Sequence, residues 1–292
     1  MNKFKTKKVF QFSVVIILLF ITIIRCSFHS LPKEKVQAIK IEIKESFVNN
    51  EYQLTIKNPV ACPNRFFLSC QDEEVNEILS PYSPLILNAL SDTIISIKNK
   101  GDLQGKIEIQ FKWGNPALPI QTTKLNRLPY PFGKSYSLLQ GNNSNPTHNS
   151  NSSRYAFDFT MRIGDTISST QNGYVVTAID AYDGWGYGDK WKSYGNQIMI
   201  YDPSSHLFTM YGHLKQNGSL VEVGDYVTMG QNIALSGKTG QTSEEHLHFN
   251  VLQADSGKSG LKSYLLDSIG NYKVRDLKRA QAMKSLPLAH IP

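Results

Sequence analysis

Two histidines stand one residue apart in the run EEHLHFNV, which spans residues 244–251. The apolar, β-prone composition of this run predicts a strand, in which successive side chains point to opposite faces. His246, His248 and Asn250 then share one face, and the apolar side chains between them take the other. Two imidazoles on one polar face can bind a metal ion or transfer protons, although this spacing alone is a weak signal.

Three further candidates precede this pair in the chain. His148 lies in a loop rich in asparagine and serine, residues 141–153. Asp158 lies between two phenylalanines in the run RYAFDF, an apolar setting in which a carboxylate needs a polar or charged partner. His213 ends the β-prone run FTMYGH. Each of these residues also has an ordinary structural explanation: His148 as a surface-loop residue, Asp158 as a strand-end turn residue and His213 as a buried core residue. A functional site is therefore indicated only if they act together.

The order of these motifs resembles the lysostaphin/LytM-type zinc endopeptidases, which cleave bacterial peptidoglycan. The resemblance covers residues from about 136 to 253. It rests on the runs YAFDF, IGDTISSTQNGYVV, YGNQIMI, FTMYGHL, VEVGDYVTMGQNIALSGKTG and HLHF. Several ordered motifs together are far more specific than one H-x-H pair.

The resemblance implies a catalytic metal centre with assigned roles. His148, Asp158 and His248 would bind one zinc ion per chain, and His213 and His246 would flank its open coordination position. Zinc with three protein ligands activates water and polarises a carbonyl. We expect His246 to act as the general base and His213 to stabilise the oxyanion, and the two roles could be exchanged.

Three features depart from the commonest pattern of that family. His148 and Asp158 are ten residues apart where four is usual, which fits a subgroup with a longer loop. Two glutamates precede His246 where Gly-Pro is usual, and their charge would raise the pKa of that imidazole. Asn250 stands where glutamate is usual and shares the face of the ligands, so we expect a changed hydrogen bond behind the site.

A glycine-rich loop between residues 180 and 196 concentrates aromatic side chains. Aromatic rings on a loop beside a site can stack on sugars or peptides. We therefore expect the loop to form a wall of a substrate groove, with packing of the loop on itself as the alternative. The expected substrate contacts are Trp185, Tyr187, Trp191 and Tyr194.

The elements that position these residues are predicted to be mainly β-strands. Residues 36–115 show short alternating runs between turn clusters, which predicts an antiparallel β-sandwich-like accessory domain. A proline-containing linker at 116–131 leads to a LytM-type domain at 132–262, expected as a β-sheet with a hybrid barrel-like motif and an open groove. The accessory domain could cover this groove, position the enzyme or act as a spacer. A C-terminal extension, 263–292, contains one helix-like stretch at 274–284.

The first segment, residues 1–30, is predicted to direct the chain across a membrane. Four lysines precede the uncharged run Val9–Ile24, whose length lies between that of a signal-peptide core and that of a membrane helix. An uncleaved anchor and a lipid on Cys26 are both open, and either places the rest of the chain in the bacterial cell envelope. In that oxidising compartment Cys62 and Cys70 are expected to form a local disulfide, with free thiols as the alternative.

The net charge of +7 does not indicate a nucleic-acid partner. Five basic residues lie within the first 26 positions, which leaves 26 basic against 24 acidic residues in the remainder. The expected partners are peptidoglycan peptides and the bacterial membrane, and the oligomeric state stays open. The favoured function is an exported zinc endopeptidase of peptidoglycan. The alternatives are a non-enzymatic envelope protein that binds peptidoglycan or activates another hydrolase and, more remotely, a biotinyl/lipoyl-type carrier.

Overall fold

The computed structural model describes residues 30–257 and 260–287. The predicted leader, with its apolar run and Cys26, lies outside the described residues. Within them, no helix combines the length and apolar character needed to cross a membrane. The described residues from Pro32 onwards pack as a single unit.

Residues 42–113 form two antiparallel sheets and one short helix. The elements are β1 (Glu42–Val48), β2 (Glu51–Lys57), β3 (Asn64–Cys70), α1 (Glu73–Leu79), a 3₁₀ turn (Ser80–Tyr82), β4 (Leu85–Leu87), β5 (Asp92–Lys98) and β6 (Ile107–Trp113). One sheet has the order β1-β2-β5 and the other β4-β3-β6. Apolar residues of both sheets, such as Leu54 and Phe66, share one buried core, as expected for a β-sandwich-like arrangement.

The remaining strands follow a short irregular segment. They are β7 (Lys124–Leu125), β8 (Ser135–Gln140), β9 (Phe157–Phe159), β10 (Thr166–Ser168), β11 (Gly173–Ile179), β12 (Trp185–Gly186), β13 (Gln197–Tyr201), β14 (Phe208–Gly212), β15 (Leu214–Ser219), β16 (Tyr226–Val227), β17 (Asn232–Ser236), β18 (Gly240–Gln241), β19 (Leu247–Ala254), β20 (Leu261–Ser263), β21 (Ser268–Ile269), β22 (Tyr272–Lys273) and β23 (Ala282–Lys284). Two 3₁₀ segments, Asp189–Tyr194 and Val274–Asp276, lie between them.

One sheet dominates this part, with the order β16-β11-β13-β14-β19-β9-β8-β23 and β20 paired to β19. The mainly β fold is therefore confirmed. Among the described residues the sheet runs from one edge strand to the other without closing, so the barrel-like part of the expectation is only a loose description. Three smaller sheets accompany it, with the orders β10-β17-β15, β12-β18 and β22-β21-β7.

The helix predicted at residues 274–284 is wrong. Val274–Asp276 forms a single 3₁₀ turn, and Ala282–Lys284 forms the edge strand β23 against β8. Met283 is fully buried in the main core at this edge. Pairing with the sheet and burial of this side chain outweigh the weak helical preference of a largely polar segment.

The central strand β19 divides its side chains as its sequence predicts. Its alternate apolar residues, Leu247, Phe249 and Val251, are fully buried in the main core. By alternation, His248, Asn250 and Leu252 occupy the opposite face. This second face carries the candidate site at the start of the strand and packs against the N-terminal sandwich near its end.

The contact near the end of β19 joins the N-terminal sandwich to the sheet. Val60 and Cys62 share a hydrophobic cluster with Phe208 and Leu252. The buried guanidinium of Arg65 donates hydrogen bonds to four backbone carbonyls, those of Trp113, Gly114, Asp255 and Gly260. Since a buried guanidinium needs partners for its donors, these bonds fix the turn after β19 against the sandwich.

The predicted disulfide between Cys62 and Cys70 is wrong, because both are free cysteines. Cys62 precedes β3, and Cys70 is the last residue of that extended strand. A strand of this length holds its two ends roughly 20 Å apart. A disulfide requires Cα atoms within about 7 Å, so the extended strand keeps the two thiols from meeting.

Candidate metal centre

Three potential metal ligands converge from separate parts of the chain. Asp158 of β9 and His248 of β19 are direct cross-strand partners, so their side chains lie on the same face of the sheet. His148 reaches them from the asparagine- and serine-rich loop between β8 and β9. The ligand atoms of the three residues all lie within 4.8 Å of one another. The structure thus brings together the three residues that the sequence singles out as ligands.

The contacts within this group are centred on one carboxylate oxygen. Nε2 of His148 lies 3.3 Å from Oδ1 of Asp158, and Nδ1 of His248 lies 2.8 Å from the same atom. Nδ1 of His148 lies 2.9 Å from the carbonyl of Gly141, which can only accept, so this nitrogen carries a proton, and in the neutral ring Nε2 presents a lone pair. Nε2 is buried and has no hydrogen-bond partner among the described residues. A buried lone pair facing a carboxylate fits a cation between them.

The electrostatics of the group also favour a cation. Burial alone would raise the pKa of Asp158, but its contacts with His148 and His248 outweigh burial and hold the pKa below its usual range. Burial alone would lower the pKa of His148, but the Asp158 carboxylate raises it. Asp158 is therefore ionised at neutral pH and supplies a buried negative charge among imidazole rings.

Two more imidazoles border this group. The ring centroids of His213 and His246 are 4.6 Å apart, and those of His213 and His248 are 5.9 Å apart. Nε2 of His246 lies 3.8 Å from Oδ1 of Asp158. His213 lies between β14 and β15 with φ at 59°, in the left-handed region that residues other than glycine seldom adopt. Such backbone strain often accompanies functional sites.

Backbone carbonyls set the tautomers of these two rings. Nδ1 of His213 donates to the carbonyl of Thr239 at 2.7 Å, and Nδ1 of His246 donates to that of Glu244 at 3.0 Å. Each ring then presents an unprotonated Nε2. Burial lowers the pKa of His213 to about 3, and burial also lowers the pKa of His246. Both imidazoles are neutral near pH 7 and can accept a proton there.

The pKa of the His246 ring is lowered overall, because burial of the imidazole outweighs the charges around it. Asp158 and Glu244 act in the expected direction and raise this pKa, but by less than burial lowers it. The Glu245 carboxylate accepts the backbone N–H of Ile163 at 2.9 Å, and Glu244 contributes its carbonyl to His246. The pair therefore helps to fix the histidine and the neighbouring turn in place.

Asn250 ties the loop that carries His148 to the sheet. Its Nδ2 donates to the carbonyl of Ser152 at 2.7 Å, and its Oδ1 accepts from Oγ of Ser263 at 2.8 Å. The same Ser263 oxygen accepts the backbone N–H of Tyr155 at 2.9 Å. A glutamate carboxylate could not donate to the Ser152 carbonyl, whereas an amide both donates and accepts. Asparagine at this position therefore suits a long loop that must be held through its backbone.

Replacing Asn250 with alanine should weaken zinc binding by roughly 10- to 100-fold, because the loop that presents His148 loses its link to the sheet. A chelator competition titration measures this affinity. Ser236→Ala is the matched control, since it removes a buried hydroxyl that has no hydrogen-bond partner within the described part of the chain. If the two variants bound zinc equally well, the role of Asn250 in holding the loop would be wrong.

The aromatic loop places its rings in different environments. Trp191 is only 3% exposed and packs so closely on Gly186 that a Cβ there would collide with the indole. Tyr194 is partly buried and its ring contacts those of Tyr182 and Trp191. These two predicted substrate contacts are thus placed to support the loop itself.

The other two predicted contacts are more accessible. Tyr187 is 71% exposed, and its ring lies 6.4 Å from that of the half-buried Trp185. The ammonium of Lys238 lies 3.5 Å from the centroid of the Trp185 ring. The loop residues that line the cavity beside the candidate site are Asp189, Lys192 and Gly195. Contact of Trp185 and Tyr187 with substrate stays a prediction.

Trp191→Ala should lower the free energy of unfolding by about 3–5 kcal/mol, as large-to-small changes at buried positions do. Tyr187→Ala, at an exposed position, should change it by less than about 0.5 kcal/mol and should instead weaken binding to peptidoglycan. Urea unfolding and co-sedimentation with insoluble peptidoglycan measure the two effects. A stable Trp191→Ala variant with impaired binding would instead assign the substrate contact to Trp191.

A cavity of about 1770 Å³ opens beside the imidazoles. His213, His246, His248 and Asp158 all line it. The loop around residues 140–153 forms one wall, and the segment 241–244 and the stretch after β20 form others. Among the described residues, its lining includes none before Lys124, so the N-terminal sandwich does not cover the groove.

Residues 152–259 match the family model described as peptidase family M23. The match contains Asp158, His213, His246 and His248 in their motifs. This domain belongs to peptidase family M23. The resemblance to lysostaphin/LytM-type enzymes is thereby confirmed. His148 lies four residues before the start of the match, so its place in the site rests on the geometry above.

Three curated relatives are similar to this chain over 96 to 127 residues. An uncharacterized metalloprotease of Buchnera aphidicola is 36% identical over 127 residues, 42% of this chain and 30% of that protein. Lysostaphin of Staphylococcus simulans is 38% identical over 96 residues, 32% of this chain and 17% of that protein. The peptidoglycan DD-endopeptidase ShyB of Vibrio cholerae is 32% identical over 108 residues, 37% of this chain and 22% of that protein.

The similarity is thus confined to parts of larger proteins. This chain spans less than a third of the length of each of these relatives. A solved lysostaphin structure is similar over 44% of this chain and 47% of that one, with 30% identity and a TM-score of 0.34.

Two features around the M23 domain were not found from sequence. The carbonyls of Thr239 and Glu244 orient two histidines, and backbone acceptors leave no side-chain signature. The C-terminal extension, taken as separate from the catalytic domain, supplies part of the cavity lining. Its closely spaced basic residues, Lys273, Arg275 and Arg279, were an available signal of a role in binding.

Proposed function

We propose that the chain is an exported zinc metallo-endopeptidase that hydrolyses peptide bonds in bacterial peptidoglycan. One observation carries the proposal: a His-Asp-His ligand set and two neutral imidazoles meet at the side of a single large cavity. Family membership supports the reaction, and the relatives named for peptidoglycan cleavage support the substrate. Export follows from the proposal, because this polymer lies outside the cytoplasmic membrane.

The ligand set supports zinc as the metal. His148, Asp158 and His248 offer two imidazole nitrogens and one carboxylate oxygen, a combination that zinc prefers. A zinc ion bound by three protein groups supplies Lewis-acid activation of water and of the scissile carbonyl. Asn250 and the Gly141 carbonyl would hold these ligands in orientation from behind.

We assign proton transfer to His246. Its Nε2 is unprotonated in the tautomer fixed by Glu244 and lies 3.8 Å from the Asp158 carboxylate, whose charge stabilises an imidazolium. Nε2 can therefore take a proton from the attacking water and give it to the departing amine. The neutral resting state follows from the burial of the ring.

His213 has a complementary role. Its hydrogen bond to Thr239 leaves Nε2 without a proton, so the resting ring can orient water only as an acceptor. Stabilising the oxyanion would require a proton on Nε2, and the attacking water would have to supply it to His213 instead of to His246, which is the arrangement with the two roles exchanged. Among residues 30–257 and 260–287 no carboxylate oxygen lies within 4 Å of this ring, which makes it a poorer proton acceptor than His246.

Metal analysis of the purified full chain, combined with digestion of isolated peptidoglycan, tests the proposal. We expect one zinc ion per chain and the release of soluble fragments that carry new amino groups. New amino groups distinguish cleavage of peptide bonds from cleavage of the sugar chain, and the fragment masses identify the bond. Stoichiometric zinc and tight binding without any turnover would favour the non-enzymatic alternative, a peptidoglycan-binding or hydrolase-activating protein.

A further inference from the structure

Part of the cavity wall lies outside the M23 match, which ends at residue 259. The wall continues through residues 265–279 and includes Lys124, which comes before the match. These flanking segments are joined as a small sheet, since β21 pairs with β7 on one side and with β22 on the other. The part of the groove that they build therefore lies outside the residues matched to the family.

The register of this small sheet places two lysines on the cavity side. Lys124 and Lys273 are both direct partners of Ser268, so these three residues share one face. All three line the cavity. The neighbouring residues Leu125 and Ile269 are buried in the main core on the opposite face. The two ammonium groups thus flank a hydroxyl across adjacent strands, which are spaced about 4.8 Å apart.

Two arginines extend this basic surface. Arg275 and Arg279 also line the cavity. The nearby acids are partly engaged: Asp267 accepts a hydrogen bond from Thr123 at 2.6 Å, and Asp276 lies 3.8 Å from Nε of Arg275. In the described part of the chain, no carboxylate oxygen lies within 4 Å of Lys124, Lys273 or Arg279. This end of the cavity therefore has an excess of positive charge.

We propose that the basic wall, formed by Lys124, Ser268, Lys273, Arg275 and Arg279, binds a free carboxylate of the peptidoglycan peptide. The inference rests on the proposed function and names the group of the substrate, a carboxylate, by which the substrate is oriented in the groove. Lysine and arginine donate charge-assisted hydrogen bonds to a carboxylate, and the serine hydroxyl can donate one more. The loop wall of the cavity, residues 140–153, is uncharged and consists mostly of asparagines and serines, so a negatively charged substrate end is drawn towards the basic wall.

The size of the effect follows from the exposure of these side chains. Exposed ion pairs contribute little each and are weakened by salt. Removing two of the charges should therefore raise KM about three- to tenfold with little change in kcat. Because the chemistry takes place at the metal centre, we expect the loss of catalytic efficiency to come from weaker substrate binding.

The test compares the full chain with a Lys273→Gln/Arg279→Gln variant on two substrates. One is isolated peptidoglycan freed of its phosphate polymers, and the other is the same material with its carboxyl groups converted to amides. We expect amidation to raise KM severalfold for the wild type and to have little effect on the variant. Co-sedimentation with the insoluble polymer measures binding in parallel and does not depend on turnover.

The matched control is Lys278→Gln/Lys284→Gln, which removes two charges from the same segment at exposed positions that do not line the cavity. This control should respond to amidation as the wild type does. Equal responses of all three proteins would overturn the basic wall while leaving cleavage, and hence the proposed function, intact. Absence of cleavage together with carboxylate-dependent binding would remove the enzymatic proposal and keep the basic wall. Binding that requires the phosphate polymers would also overturn it.

Discussion

Replacing His246 with alanine should lower the rate of peptide-bond cleavage by roughly 10²–10⁴-fold, the usual contribution of a general acid–base group. The zinc content should stay at one ion per chain, because the proposed ligands are His148, Asp158 and His248, which His246→Ala leaves in place. The rate is measured from the release of amino groups from peptidoglycan, and zinc by elemental analysis of the same preparation.

His206→Ala is the matched control for this variant. His206 lies in the turn between β13 and β14, outside the cavity lining, and its Nδ1 contacts the carbonyl of Pro119 at 2.8 Å. Its loss should leave both rate and zinc content unchanged. Loss of zinc from the His246→Ala protein would contradict the assignment, because it would make His246 a ligand instead of a proton carrier.

Replacing Asp158 with asparagine should abolish stoichiometric zinc binding, and cleavage with it. The exchange keeps the volume of the side chain but removes a buried charge whose Oδ1 lies within 3.8 Å of nitrogens of His148, His246 and His248. Removing one partner from a buried charged group costs about 3–5 kcal/mol, which corresponds to more than a hundredfold in zinc affinity. Zinc should consequently no longer raise the thermal unfolding temperature of this variant.

Chelator competition and calorimetry with and without zinc measure the two effects. Asp225→Asn is the control, since this carboxylate accepts a backbone N–H from Glu222 in an exposed turn. It should bind zinc as the wild type does. Wild-type affinity in the Asp158→Asn protein would place the metal elsewhere and remove the basis of the proposed mechanism.

The site was predictable where it follows from local alternation or ordered motifs. Alternation along β19 correctly separates His248 and Asn250 from the core residues beside them. It cannot reveal that Asp158, 90 residues earlier, is the cross-strand neighbour of His248, because non-local pairing has no local signature. The expected role of Asp158 came from family resemblance. The expected role of His148 also came from the family resemblance, because no periodicity fixes the position of a side chain in an irregular loop.

Local composition was least informative for residues whose environment is set by distant packing. Trp191 is placed on a glycine-rich loop by the sequence, but the tertiary fold buries it against Gly186. Met283 lies in a polar stretch that resembles a helix, and an edge position on the large sheet makes it a strand residue. In both cases local composition was outweighed by burial that only the complete fold determines.

The second face of β19 links the groove to the N-terminal sandwich. His248 and Leu252 are four residues apart on that strand, a distance of about 13 Å. Leu252 lines the cavity and shares a hydrophobic cluster with Val60 and Cys62 of the sandwich. One strand thus connects a candidate metal ligand in the groove with the packing contact of the N-terminal sandwich, whose described residues stay outside the cavity lining.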